Sequence, residues 1–199
     1  MDAAVALAHL GGVATRAALL VLTDRAAVER ALRSGAVVAD ARGRYALPVT
    51  DDAVRQAHAL SGVLSLTSAA LHHGWEVKTA PDKPHVTVPK KRKVTAGRRA
   101  LVHLHRADLH PDDVDGSGIA TAVDLTLTQC FRTLPYDEAL SVADSALRHG
   151  VTPGTLARVA RGARGPGSPQ VRRVAAAARL DVANPFESCT RAISHDVAG

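Results

Sequence analysis

Arginine is the side chain best suited to reading a base pair, because its planar guanidinium donates two parallel hydrogen bonds to one guanine edge. Arg25, Arg30 and Arg33 crowd one short segment of this 199-residue sequence. The spacing predicts a helix there, with Val28, Ala31 and Leu32 on one face and Arg25, Glu29 and Arg33 on another. Arg16, beside Thr15, stands at the start of the preceding predicted helix, where a cation can hold a phosphate. Arg42 and Arg44 flank Gly43 in a predicted turn. Lys90, Lys91, Arg92 and Lys93 form the densest charge run, and Arg98 and Arg99 bring it to six cations within ten residues. No aromatic residue interleaves with that run, so it suits phosphates rather than bases. Two ordinary alternatives compete: a solvated helix in which Glu29 pairs with Arg25 and Arg33, and a flexible solvated loop over 89–99.

Other reactive side chains point less clearly to chemistry. His72-His73, His103-x-His105 and His110 invite a metal, but no Cys, Asp or Glu sits near them at zinc spacing. They are expected to be surface or polar-core histidines. Asp112, Asp113 and Asp115 lie between Pro111 and Gly116 and read, with Asp124, as structural carboxylates. Ser65, Ser68 and His72 share a helical face but have no acid at a fixed place to orient the imidazole. Cys130 and Cys189 form no C-x-x-C pair and are expected to be buried, reduced thiols. No metal, cofactor or catalytic residue is expected in this chain, and it is not expected to be an enzyme.

The bulk composition agrees with a folded, polyanion-binding chain. The net charge is +6 and the isoelectric point near 9.9, while 46% hydrophobic and 22% charged residues exclude a disordered polymer. Aromatics make up only 3%, so the core must come from Ala, Val and Leu. The N-terminus lacks a basic stretch followed by an apolar run, and no stretch approaches 18 apolar residues. A cytoplasmic protein with no membrane partner is expected.

The elements that must position these cations follow from the punctuation. A helix is predicted over 2–10, with Ala4, Val5, Ala8 and Leu7 inward, ended by Gly11-Gly12. Thr15 can cap a second helix through Leu20, and Thr23 or Asp24 a third to Ser34, stopped by Gly35. Ala36–Ala39 and Arg44–Pro48 around residues 40–43 read as a hairpin. Three helices and a hairpin are the order of a winged helix, whose third helix enters the major groove. After a boundary at 48–52, Thr50 can cap a helix over 52–60 and Ser65 another over 66–73. Strands are predicted at His85–Val88, Ala100–His105 and Ile119–Thr121, then helices at 123–134 and 136–148. Thr152-Pro153, Ser168-Pro169 and Asn184-Pro185 repeat a cap-then-proline start signal. Asn184-x-x-Glu187 is close to a capping box.

The segment GGVATRAALLVLTDRAAVERALRSGAVVADARGRYALP resembles the N-terminal winged helix of the AbiEi-type antitoxin family of transcriptional regulators. LSLTSAALHHG, HVTVPKKRK and GIATAVDLTLTQCFRTLPYDEALSVADSALRHG resemble, in that order, the second domain of its longer members. The resemblance implies operator binding, autorepression and neutralisation of a partner nucleotidyltransferase toxin. NPFESCTRAISHDVAG resembles the opening of a very-short-patch-repair-like endonuclease domain, with Glu187 at its first acidic position. The later acidic residues and lysine of such a site do not follow in this chain, so Glu187 is catalytic only in a longer nuclease parent.

The expectation is therefore an α+β chain: a winged helix-turn-helix over 1–48, a mixed α+β domain over 52–160, and C-terminal helices over 168–199. Its expected function is sequence-specific binding of double-stranded DNA as an antitoxin-type autoregulator, as a homodimer on inverted repeats. The alternative is the DNA-recognition portion of an endonuclease whose catalytic core lies elsewhere.

Overall fold

A computed structural model describes residues 1–181 together with 187, 188 and 190. The fold is α+β, and it opens with a winged helix-turn-helix. Asp2 accepts hydrogen bonds from the Ala4 and Val5 amides and starts α1 (Ala3–His9). The inward face is Ala3, Ala6 and Leu7, with Ala4 partly buried against them; Val5, 48% exposed, and Ala8 face out. The segment is apolar on every side, so its own periodicity cannot choose a face, and packing against its neighbours decides. A short strand, β1 (Val13–Thr15), leads into α2 (Arg16–Leu22), capped by Thr15 Oγ1 on the Ala18 amide at 3.2 Å. Asp24, rather than Thr23, caps α3 (Arg25–Ser34), and Gly35 ends it at φ +75°.

The wing is tighter than expected. β2 spans Val38–Ala41 and β3 Arg44–Ala46, leaving only Arg42-Gly43 as the turn. Asp40 and Ala41 belong to the strand, accommodated by an irregular register between Ala39 and Ala41. β1 adds to the other edge of β3, giving an antiparallel sheet in the order β1-β3-β2. Three residues are too few to show alternation, which is why β1 escaped the pattern. Gly12 seals this unit to the next: its carbonyl accepts from the Leu47 amide at 2.8 Å and from Thr50 Oγ1 at 3.1 Å. Its φ of +86° favours glycine, and Thr50 Oγ1 occupies the space where a Cβ would stand.

Thr50 is thus spent on Gly12, and Asp51 caps α4 (Asp52–Ala59). β4 (Val63–Leu64) pairs antiparallel with β5 (His85–Val88), which pairs parallel with β6 (His103–Arg106). Between β4 and β5 runs α5 (Leu66–His72); Ser65 does not cap it, and Gln129 Oε1 accepts from the Leu66 amide instead, at 3.2 Å. The crossover from β5 to β6 carries one turn of helix, α6 (Ala96–Arg99). The strand expected from Ala100 therefore begins only at His103. Ile119–Thr121 is not a strand but makes isolated bridges, Leu64 with Ala120 and Val114 with Thr121.

The remainder is helical: α7 (Val123–Thr133), α8 (Tyr136–Arg148), α9 (Pro153–Gly162) and α10 (Ser168–Ala177). Thr152 caps α9 as its Thr-Pro signal predicts. At α10 the cap position belongs to Gly167, because Ser168 Oγ donates back to the Gly165 carbonyl at 2.6 Å. Asn184-Pro185 lies outside the described residues.

Three hydrophobic clusters organise the described chain. One lies inside residues 3–47, around Leu7, Leu19, Val28 and Val37. A second joins Val13 and Ala46 of the winged helix to Val54, Ala57, Leu64, Val86, Val88 and Ala120. The third packs Phe131, Leu127, Trp75, Val142, Leu156, Val171 and Val174, so α10 shares a core with α7, α8 and α9. Every residue of α8 from Ala139 to Leu147 is buried. Gln170 of α10 also donates to the Phe131 and Leu134 carbonyls, closing the end of α7. Phe131 is fully buried. Phe131→Ala should cost about 3–5 kcal/mol of stability, read as a lower urea midpoint with little change in slope.

Candidate nucleic-acid interface

The face of α3 opposite Ala27, Val28 and Ala31 presents Arg25, Glu29, Arg30 and Arg33 to solvent. Glu29 does not pair with Arg25 or Arg33: the one bond between these side chains and their helix runs from Arg33 Nε to the Glu29 backbone carbonyl, at 3.4 Å. The guanidiniums of α3 are thus left uncompensated. At the start of α2, Arg16 is exposed and lies against the wing tip, its amide bonded to the Gly43 carbonyl at 2.9 Å and its Nη1 to Tyr45 Oη at 3.4 Å. Thr15 is half-buried with its hydroxyl oxygen engaged in capping. Arg42 projects from the turn, exposed.

Arg44 behaves differently from its turn neighbour. It is half-buried and reaches away from the tip, its Nη2 donating to Ser61 Oγ at 2.8 Å. Burial, then the like charge of Arg92, holds its guanidinium below the ordinary range. Arg92 arrives from the crossover between β5 and β6, where Nε donates to the Leu60 carbonyl at 3.1 Å. Arg98 of the same crossover donates to the Asp40 backbone carbonyl of the wing. Arg106 Nη1 holds the loop from within, on the Lys90 and Arg92 carbonyls at 3.0 and 2.7 Å, while the Lys90 amide donates to Asp108. The crossover is therefore pinned to the wing and to the turn after α4, not loosely solvated. Lys90, Lys91, Lys93 and Arg99 stay exposed upon it.

Arg55 holds Asp40 through two bonds at 2.5 and 3.0 Å, and Lys78 pairs with Asp137, Arg148 with Glu76, Arg158 with Asp124 and Arg179 with Asp181. Among the described residues, none of Arg16, Arg25, Arg30, Arg33, Arg42, Arg44, Lys90, Lys91, Arg92, Lys93, Arg98 and Arg99 forms an ion pair. Arg55 and Arg106, which fix wing and loop, carried no sequence signal: each looks like any other surface arginine until its partners are known.

The remaining polar candidates have structural work. His73 Nε2 meets the Thr121 carbonyl at 2.8 Å, and His72 stands 3.6 Å from Asp115. Asp115 accepts from Ser117 Oγ and from the Ile119 and Ala120 amides, closing a turn. Asp113 caps its own short 3-10 turn through the His110 amide. Ser68 Oγ accepts from the His85 amide at 2.9 Å. Among the described residues no three or more His, Cys, Asp and Glu are grouped to hold a metal ion, and no helix is long and apolar enough to cross a membrane. Burial pushes the Cys130 thiol up to about 12, which makes it inert as a nucleophile. Cys189 and the Asn184 half of the Glu187 capping box lie outside the described residues.

Comparison with protein-family models and with curated proteins returned no match. Among solved structures, the crystal structure of the RV2827C protein from Mycobacterium tuberculosis is similar at TM-score 0.48 and 16% identity, over 93% of this chain and 77% of that one. That degree of likeness assigns neither a family nor an activity.

One cluster was only half visible in the sequence. The parallel register sets His85 beside His103, and Thr87 beside His105. His85 Nδ1 and His105 Nε2 lie 2.9 Å apart, His85 stacks on both other rings, and His103 meets Asp82 at 2.6 Å. Burial, then the charges of His105 and His103, lowers His85 from the ordinary 6.5 to about 4 against a small opposing pull from Asp82. Burial lowers His105 and His58 in the same direction. Between pH 4 and 6.5 the unfolded chain therefore binds more protons than the folded one, so stability rises with pH and is lost as pH falls through this window. In urea titrations at pH 4.5, 5.5 and 6.5, His85→Gln should flatten that rise relative to wild type; parallel profiles would show that His85 does not fold in its neutral form.

Proposed function

We propose that this chain binds double-stranded DNA, with α3 in the major groove and the wing and crossover loop on the backbone. One observation carries the reading: the exposed face of α3 holds Arg25, Arg30 and Arg33 with no carboxylate partner. An exposed cation normally gains little from a surface ion pair, so the lack of pairing costs the folded chain little. Apart from Arg33 Nε, which donates to the Glu29 carbonyl, it leaves the guanidinium donors available to a partner rich in acceptors, such as guanine O6 and N7 or a phosphate. The element order supports the same conclusion. α2, a short turn and α3 form the helix-turn-helix, and Arg42-Gly43 is the wing tip. Arg16, against that tip, is placed to fix the register on phosphate.

The resemblance to AbiEi-type antitoxins extends the proposal to autorepression, a homodimer on inverted repeats and a nucleotidyltransferase toxin as protein partner. Selection of bound genomic fragments followed by sequencing tests both levels. Autorepression requires the chain's own promoter among the recovered fragments, and a dimer requires half-sites about one helical turn apart. For α3 itself, Arg30→Ala and Arg33→Ala should each weaken binding to the selected site by about 1–3 kcal/mol more than binding to random duplex. Fluorescence anisotropy on the two duplexes measures this, and equal losses on both would remove the base-reading role.

A further inference from the structure

Two guanidiniums are anchored on one turn at the seam between the wing and the second sheet. Arg44 comes from the wing strand β3 and Arg92 from the β5–β6 crossover, 48 positions apart in the sequence. They are anchored on consecutive residues of the turn after α4: Arg44 Nη2 on Ser61 Oγ at 2.8 Å, Arg92 Nε on the Leu60 carbonyl at 3.1 Å. Each anchor uses one N–H of the five that a guanidinium carries. Neither arginine has a carboxylate partner, and Asp40 of the wing is held by Nε and Nη2 of Arg55. Arg106 adds a third positive charge behind the loop, on the Arg92 carbonyl. Asp108 accepts from the Lys90 amide and neutralises none of the three.

Such a pair is costly in the isolated chain. Like charges brought together without a counter-ion repel, and Arg44 is half-buried as well. Both side chains are nevertheless anchored by uncharged acceptors, Ser61 Oγ and the Leu60 carbonyl, rather than by a carboxylate. A tetrahedral dianion or phosphodiester presents several acceptor oxygens to two planar forks at once, which is the geometry arginine pairs favour.

We propose that Arg44 and Arg92 jointly hold one phosphate group at the seam between the wing and the crossover loop. As a contact of the DNA backbone the site rests on the duplex-binding function proposed above; as an anion site it stands without it. The phosphate could belong to duplex DNA or to a free phosphate compound, and the chemistry of the site is the same for both. For DNA, the site would carry the footprint past the wing tip onto the crossover, where Lys90, Lys91 and Lys93 line its continuation.

The test uses the full chain and four proteins: wild type, Arg92→Gln, Arg44→Gln/Arg92→Gln, and Lys83→Gln as a control cation elsewhere. In the first arm, melting temperature is measured in sodium phosphate and in sodium chloride of matched ionic strength. Wild type and the control should melt higher in phosphate, and the double variant should lose more than half of that rise. Arg92→Gln, at an exposed side chain, should lose part of the phosphate rise and serves if the double variant does not fold. A phosphate effect equal in wild type, Arg92→Gln and the double variant overturns the clamp, because it is then a general solvent effect. In the second arm, the slope of log K against log salt is measured on duplex DNA. Loss of one shared phosphate lowers its magnitude by about 0.9 in the double variant, not twice that. An unchanged slope beside a lost phosphate effect overturns the DNA backbone as the source and assigns the site to a free phosphate compound. Failure of wild type to bind any duplex overturns the DNA function, while the melting arm still decides the clamp.

Discussion

The relative placement of the two basic surfaces depends on the cluster that α4 builds between the sheets. Val54 and Ala57 of α4, with Leu60 beyond its end, pack at once on Val13 and Ala46 of the winged helix and on Leu64, Val86 and Val88 of the second sheet. Protein interiors are close-packed, so one sheet cannot slide past the other without opening voids. The wing is consequently fixed to the unit that follows it. Gly12 and Thr50 add a hydrogen-bonded seam beside this core, and the Asp40–Arg55 pair spans from the wing to α4. A partly buried ion pair of this kind contributes orientation more than net stability.

That rigidity fixes the separate charge runs relative to one another. A loop of six cations on an independent domain would sample many positions relative to α3 and would pay ordering entropy on binding. Here Arg92, Arg98 and Arg106 spend donors on backbone carbonyls to hold the crossover in place, while the lysines around them stay in water. Positioning thus falls to these arginines, and the lysines take no part in it. The field of such a surface adds up without being neutralised within the fold, as suits a polyanionic partner.

The helical layer contributes no reactive group to this surface, yet it sets the geometry beneath it. α8 is buried along its length, and Gln129 of α7 replaces the missing cap of α5 by accepting from the Leu66 amide. α5 in turn holds β5 through Ser68 and the His85 amide. The parallel β5–β6 pair, and so the basic crossover between its strands, is braced from behind by that chain of contacts.

Much of the fold was legible because it is local. Capping by Thr15, Asp24 and Thr152, the stop at Gly35 and the start of the strand at His85 each follow from a few neighbouring residues, and so did the exposed, arginine-bearing face of α3. The errors fell where local signals tie. An all-apolar α1 offers no preferred face, three-residue β1 is too short to alternate, and Thr50 and Ser168 had equally good backbone partners elsewhere. The sequence by itself determined the order of elements and which segments are basic, because propensity and charge are properties of the residues. Only the tertiary structure decided that Arg44 turns from the wing tip to Ser61, beside the Leu60 carbonyl that holds Arg92, that Glu29 leaves its arginines unpaired, and that His85 joins His103 and His105. The first and last are arrangements of residues far apart in the chain, whose distances packing sets, and Glu29 has no such partner for want of a fixed side-chain geometry on an exposed face.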